Sequence, residues 1–464
     1  MKRQVAVQQV LVHSMKKKLR LLEFEKSIYG FLLDFGYNAH LARETKSCVN
    51  DFLLPLLIFS FYNDGGNNLA LYCKKTSIAN LLKKYPELES RVSLFLKNLH
   101  LEYKSILNLT KSPEIKILGD IHPKSTTKYL NGEYVYYKNY PNYNPVLRNI
   151  FAHLPQLTSY YPKITKLGKY FRREYINVEK EGDDTSLSQY YYNLGYIIPF
   201  LLLIRNTDSN QENLIVKLPY PKFFDMECIF LPRLKNYKYS INSSGLLKAG
   251  EEDRSSITGG IEQVKSILKP VLFGTVEKPY IKWIVPSKGE YDNIPYMNSK
   301  ICSPKDFLKF LEDGFVKGSE DIFANIDSIR SIVMNTQITF RIVLKPTKVY
   351  RYILLKSMYL QYYKDFTGIK VQIRQDLSSF SNILKLKHSS KLLNDEVDSL
   401  YRCCIPTYYS DGYSTSIYNA SGEVVGEVLE SPFAYWSRYI DNVYSKNFLE
   451  DQLQIIKNTL SISN

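Results

Sequence analysis

Asp208-Ser209-Asn210-Gln211-Glu212-Asn213, followed after an apolar hairpin pattern by Asp225-Met226-Glu227, decides which fold this chain can hold. A carboxylate and an amide stand five positions apart, and a second carboxylate follows the amide by twelve. Phosphoryl transfer needs carboxylate or amide ligands for Mg²⁺, a carboxylate beside the attacking hydroxyl, a cation at the phosphates and a backbone-rich loop over them. The first two stand here in order, after the apolar run Leu194 to Ile204 and before the strand pattern Leu214-Ile215-Val216.

Working outward, Lys138 ends the extended run Glu133 to Lys138, in which Tyr134, Tyr136 and Lys138 share a face. Upstream, Gly119-Asp120-Ile121-His122 precedes a hairpin marked by Asn131-Gly132. Asp120 and His122 point to one side if that segment is extended. A lone strand lysine is ordinarily a surface residue, and Asp120 with His122 equally fits a turn hydrogen bond, so the ordered set carries the argument. The interval from Asp208 to Asn213 matches the Asp-to-Asn interval of a kinase catalytic loop. Further on, Arg341-Ile-Val-Leu-Lys345-Pro346-Thr347 puts Arg341 off the face of Phe340, Ile342 and Leu344, and Thr347 where it can cap the following helix.

The rest of the pattern predicts an α+β chain. Residues 5–111 carry helical spacing, broken by the turn chemistry of Asn63 to Asn68. A small antiparallel sheet is expected over 113–138. Helical spacing returns over 145–205, and a hairpin over 213–225 is turned by Pro219-Tyr220-Pro221. Residues 236–260 read as a mobile loop. Helices are expected over 304–315 and 320–334, a strand over 337–344, a helix over 347–363 and a last one over 448–460.

At 464 residues the chain has room for two or three domains, or one large domain with insertions. Its net charge of +15 favours an anionic partner. The basic residues are scattered and no zinc-finger or RNP-type motif is present, so nucleic acid is not the expected partner. The 39 tyrosines are read as core packing under compositional bias. Six cysteines without a CxxC pair point to a reducing compartment, and none of the six histidines clusters with them as a zinc site requires. The N-terminus lacks an apolar core before a cleavage site, and the runs Phe52 to Tyr62 and Tyr196 to Ile204 each contain proline and are shorter than a membrane span. A soluble, cytoplasmic protein with no integral membrane segment is expected.

Together these motifs resemble the dehydratase region of class II lanthipeptide synthetases. The segments that carry the resemblance are Leu118 to His122, Val135 to Lys138, Asn206 to Ile215, Phe224 to Glu227, Phe340 to Tyr350, Ile405 to Tyr409 and Asp451 to Ile456, in family order. The resemblance implies a kinase-like (lipid-kinase-like) bilobal core with helical N-terminal and C-terminal additions: a helical region over 1–110, the core over 111–260, and the rest of the dehydratase with its elimination motif over 261–464. It implies ATP- and Mg²⁺-dependent phosphorylation of Ser and Thr in a precursor peptide, then loss of phosphate to give dehydroalanine or dehydrobutyrine. Asp208 would be the catalytic carboxylate, Asn213 and Asp225 the metal ligands, and Lys138 the phosphate-binding lysine. Asp120 and His122 would support the nucleotide, and Arg341 and Thr347 would serve elimination. Glu174 and Glu179 lie where a glutamate partner for Lys138 is sought. Asn210 stands in the catalytic loop where the family has a histidine, and Pro123-Lys124-Ser125 replaces its glycine-rich continuation. The chain stops where the dehydratase ends in relatives about twice as long, so a stand-alone dehydratase without a cyclase is expected, acting on a peptide with an acidic leader and served by a separate cyclase or reductase. A peptide kinase without elimination and a peptide-binding pseudokinase are the alternatives.

Overall fold

The computed structural model describes residues 24–65, 67–112, 115–118, 127–138, 144–232, 238–248, 255–259, 269–274, 277–284, 293–358, 368–380, 382, 386 and 390–462. Its first part is helical: α1 (24–34), α2 (Ala39–Asn63), α3 (Leu69–Lys75), α4 (Ile78–Lys83) and α5 (Pro86–Thr110). Starts are written into the sequence. Asn38, Asn68 and Ser77 accept hydrogen bonds from the N–H groups of Leu41, Leu71 and Asn80 at 2.8, 3.1 and 3.2 Å, and Pro86 opens α5 where its missing N–H costs nothing.

An antiparallel five-stranded sheet follows, β1 (Lys116–Leu118), β2 (Lys128–Asn131), β3 (Tyr134–Lys138), β4 (Ile164–Leu167) and β5 (Tyr170–Glu174), in the order β1-β2-β3-β5-β4. The expected β2–β3 hairpin forms, but Asn131 pairs with Tyr134, so the turn is Gly132-Glu133, one residue later than Asn131-Gly132. Gly132 takes φ +57°, which glycine adopts without strain. Residues 145–205 are not helical throughout. Between α6 (Asn144–His153), the 3₁₀ turn Pro155–Tyr160 and α7 (Asp184–Leu203), the β4–β5 hairpin turns on Gly168 at φ +59°. Strands of four and five residues are too short for a decisive period.

The helix expected in two pieces is one, α8 (Leu308–Asn335). Gly314 and Gly318 do not break it, because they are its contact surface. A Cβ at Gly314 would lie 1.9 Å from the Tyr192 carbonyl oxygen and one at Gly318 2.2 Å from that of Tyr196, while Gly195 of α7 is pressed in the same way on Leu311. α7 starts on a capping box in which Asp183 and Ser186 bond each other's backbone N–H.

β6 (Leu214–Lys217) and β7 (Tyr220–Phe223) form the hairpin expected before Asp225; Leu218-Pro219 makes the turn, and Tyr220 and Pro221 already belong to β7. The loop expected over 236–260 is instead, where described, packed structure, with Tyr239, Ile241, Leu246, Leu247 and Ile257 buried. Short pairs β8 (Lys269–Gly274) with β9 (Pro279–Ile284) and β10 (Tyr296–Met297) with β11 (Lys300–Ile301) precede α8. Then come β12 (Phe340–Ile342), shorter than the strand expected over 337–344, α9 (Thr347–Lys356), α10 (Gly368–Ser378) and α11 (Ser390–Tyr401). β13 (Tyr408–Ser410), β14 (Ser416–Asn419) and β15 (Val424–Glu427) complete a four-stranded sheet with β12, and α12 (Pro432–Asn442) and α13 (Lys446–Ile462) close the chain.

Two apolar cores result, neither contiguous in sequence. One joins α6, α7, the β6–β7 hairpin, α8, β12–β15, α12 and α13; the other joins α1–α5, the Tyr129, Tyr136 and Tyr170 face of the first sheet, and α9–α11. Arg91 of α5 ties the second core together. Its Nε donates to the Tyr401 carbonyl at 2.8 Å, Nη1 to that of Ser357 at 3.1 Å and Nη2 to that of Leu400 at 3.2 Å, so one guanidinium closes the C-termini of α9 and α11. Among the described residues no helix is long and apolar enough to cross a membrane.

Candidate active site

The segment that links α7 to β6 is built by its own side chains. Arg205, at φ +52° and almost fully buried, turns the chain out of the helix. Its guanidinium lies 4.6, 4.8 and 4.9 Å from the ring centroids of Tyr239, Tyr435 and Tyr439, and its Nε donates to the Leu231 carbonyl at 3.1 Å. Asn206 Oδ1 then accepts from the Asp208 N–H at 2.8 Å, and Tyr239 Oη donates to the Asn206 carbonyl at 2.7 Å. Asn213 Nδ2 donates back to the Asp208 carbonyl at 2.8 Å, which closes the six-residue loop. Beneath it the Ser209 N–H donates to the Ser244 carbonyl at 2.9 Å. Gly245, at φ +85°, leaves room for the loop, since a Cβ there would stand 3.1 Å from the Asn210 nitrogen.

Three acidic side chains converge on this loop. Asp208 Oδ1 accepts from Asn210 Nδ2 at 2.7 Å. Burial, with the charges of Asp225 and Glu227 nearby, pushes the Asp208 carboxyl up to about 7 against the opposing pull of Arg341 and Lys128. Asp225, just past β7, accepts from Lys128 Nζ at 2.7 Å. Burial works against its charge, yet Lys128, Arg173 and Arg341 together hold its carboxyl below the usual range. Glu227 pairs with Arg341, and its carboxyl is raised because burial outweighs that partner. The Arg341 N–H also donates to the Glu227 carbonyl at 2.9 Å, which locks β12 against the segment after Asp225.

The structure therefore brings Asp208, Asn210, Asn213, Asp225, Arg341 and Thr347 into one neighbourhood. Thr347 does so differently from its expected role: Pro346 holds the N-cap of α9, Thr347 is the first helical residue, and its Oγ1 accepts from Arg341 Nη2 at 3.4 Å instead of capping. Asp120 and His122 lie outside the described residues. Lys138 closes β3 opposite Tyr170 in β5. Glu179 pairs with Lys217, and Glu174 lies exposed at the end of β5.

Three residues of the site carried no role in the sequence reading. Lys128 of β2 is the lysine that grips Asp225; Arg173 of β5 stacks 4.6 Å over the Phe224 ring and donates to the Phe224 carbonyl at 3.4 Å; Glu227 is the counter-ion of Arg341. Only Glu227 had a signal, its place two residues after Asp225.

The chain belongs to the family described as "Domain of unknown function (DUF4135)", which matches residues 137–411 and so takes in Asp208, Asn210, Asn213, Asp225, Glu227, Arg341 and Thr347, while Lys128 precedes the matched span. It is similar to the lacticin 481/lactococcin biosynthesis protein LcnDR2 of Lactococcus lactis subsp. lactis, at 24% identity over 410 residues, covering 78% of this chain and 43% of that protein. The chain thus spans less than half the length of this relative.

Proposed function

We propose that the chain is an ATP-dependent peptide Ser/Thr dehydratase on a kinase-like, lipid-kinase-like bilobal core, acting in lanthipeptide-type antibiotic biosynthesis. Its similarity to a lantibiotic-type biosynthesis protein supports a modifying role with a precursor peptide as substrate. The observation that carries the reading is Asp208, a carboxyl brought to about 7 and hydrogen-bonded to Asn210 amid Lys128, Asp225 and the Arg341–Glu227 pair. A base poised near neutrality suits proton removal from a hydroxyl.

In the first step a substrate Ser or Thr oxygen forms its bond to the γ-phosphorus of ATP, the bond from that phosphorus to the ADP oxygen breaks, and Asp208 takes the hydroxyl proton. Asn210 holds the carboxylate oxygen that is not receiving it. The residues fit magnesium. Asn213 spends its Nδ2 on the Asp208 carbonyl, which leaves Oδ1 as a donor, and Asp225 is kept ionised; one amide oxygen and one carboxylate, completed by phosphate oxygens and water, suit that ion. Among the described residues no three His, Cys, Asp or Glu side chains gather as a metal cage, and none is required. When bound, Mg²⁺ supplies neutralisation of the phosphate oxygens. Asp120, His122 and Lys138 are assigned to the nucleotide by their motifs.

In the second step the α-proton leaves to a base, the electron pair forms the Cα=Cβ bond, and the Cβ–O bond breaks with departure of phosphate. Arg341 and Thr347 receive that phosphate. A guanidinium presents five N–H donors, so Arg341 can hold Glu227 on Nη1 and still offer its fork to an oxyanion. The proposal further names an acidic-leader precursor as partner and assigns ring closure or reduction to a separate enzyme.

The test is a search for a small precursor-peptide gene beside the gene for this chain and a mass measurement on that peptide after incubation with protein, ATP and Mg²⁺. Loss of one water per modified residue is expected. Unchanged mass would exclude both enzyme readings, and stable addition of phosphate would exclude elimination. Arg341→Lys, which keeps the charge and removes the fork, should make phosphopeptide accumulate; normal release of dehydrated peptide would remove Arg341 from elimination.

A further inference from the structure

Beside the active site, α6, the 3₁₀ turn, β4 and β5 enclose a cleft of about 1120 Å³ that none of the proposed chemistry uses. Its wall is apolar, with Phe151, Tyr161 and Phe171 among its residues, and Arg148, Lys163, Lys166 and Lys222 stand around it against the one carboxylate of Glu174. Among the described residues none of those four cations has an ion-pair partner within the molecule. Asn144 adds a donor: its Nδ2 is enclosed and has no acceptor, although its Oδ1 accepts from Tyr161 Oη at 3.4 Å. The volume exceeds the roughly 300–1,000 Å³ of small-molecule sites.

We propose that this cleft docks an acidic, apolar-bearing segment of a peptide, and, resting on the function proposed above, that the segment belongs to the peptide substrate away from its modified residues. Carboxylates meet the basic rim, apolar side chains meet the Phe151 and Phe171 wall, and a backbone carbonyl or carboxylate satisfies Asn144. Nucleic acid fits less well. Phe151 packs on Tyr161 at 5.9 Å and on Phe200 at 5.9 Å, and Phe171 packs on Tyr137 at 5.7 Å, so these rings form a wall rather than stacking platforms. Position gives the docking a consequence. β5 carries Phe171 and Glu174 of the cleft and Arg173 of the active site, and Lys222 stands three residues before Asp225. A segment held here keeps its chain tethered next to Asp208 and raises the local concentration of its hydroxyls.

The test uses the full chain and a labelled synthetic peptide of alternating Glu and Leu that contains no Ser or Thr, so binding is independent of any chemistry at Asp208. Fluorescence anisotropy should show saturable binding that weakens with salt and that a Lys/Leu peptide of equal length does not reproduce. The exposed pair Arg148→Glu with Lys166→Glu should lower affinity about tenfold or more, and Arg148→Gln with Lys166→Gln by less. Asp208→Asn should bind the probe as the parent chain does, which separates failure of the cleft from failure of the active site. Unchanged affinity in the charge-reversed chain, or tighter binding of a single-stranded oligonucleotide than of the Glu/Leu peptide, would overturn the proposal. Circular dichroism of each variant confirms that the fold is retained.

Discussion

A single carboxyl sets the tone of the site. Asp208 has its pKa raised from 3.8 to about 7, which is a statement about stability as well as reactivity. Between those two values the folded chain holds a proton that the unfolded chain has released, so this group's contribution falls as pH rises from about 4 to about 7. Asp208→Asn removes the titration and keeps the shape. It should abolish activity, and its melting temperature relative to the parent chain should climb between pH 5 and pH 8. The expected gain at pH 8 is on the order of 1–3 kcal/mol once solvent screening is discounted. In the parent chain the rate of hydroxyl phosphorylation should rise with pH through about 7, as the carboxylate form becomes available. A pH-independent difference in melting would show that Asp208 does not titrate in this range.

At the scale of elements, the α7–α8 contact exposes what sequence pattern misreads. Gly314 and Gly318 sit in a sequence that looks like two helices with a gap, because glycine lowers helix propensity. Their actual purpose is to let two backbones touch. Gly314→Ala should therefore destabilise the chain by about 2–4 kcal/mol in urea unfolding, although alanine is the better helix former. A neutral result would mean that the helices can separate without cost. The Asp208–Asn213 loop was legible for the opposite reason: Asp208, Asn210 and Asn213 bond one another within six residues, so spacing in sequence is spacing in space. Lys128 was not legible. It meets Asp225 across 97 positions of sequence, and nothing local to the strand Lys128–Asn131 announces that partner. The described segments 238–248 and 255–259 were likewise misread, because serine and glycine are prominent in their composition while Ile241, Leu246, Leu247 and Ile257 do the packing.

For the whole molecule, the N-terminal helices share a core with α9–α11, far along the chain. Arg91 bonds three carbonyls at the ends of α9 and α11; the Leu400 carbonyl keeps the Cys403 N–H as a donor, but those of Ser357 and Tyr401 would lose the bond the guanidinium gives them. Arg91→Met, which keeps the stem, should cost about 2–4 kcal/mol and lower the cooperativity of unfolding, seen as a reduced slope in urea. An unchanged slope would show that the N-terminal helices and α9–α11 part together with the rest. Charge acts at this scale too. With a net charge of +15 on the chain and four cations around the cleft, ionic strength should weaken peptide capture more than it weakens folding.

The aromatic box around Arg205 reaches further than its size indicates. Two of its three rings, Tyr435 and Tyr439, come from the last thirty residues, whereas the loop they steady begins before the midpoint of the chain. A ribosome that has finished Glu227 has made every carboxylate of the site, yet the nascent protein has no finished clamp for the turn that presents them. On the function proposed above, a product cut short before Tyr435 by a late stop codon or a protease should fail to dehydrate peptide with all of its carboxylates in place, a loss that a mass measurement on the peptide would register.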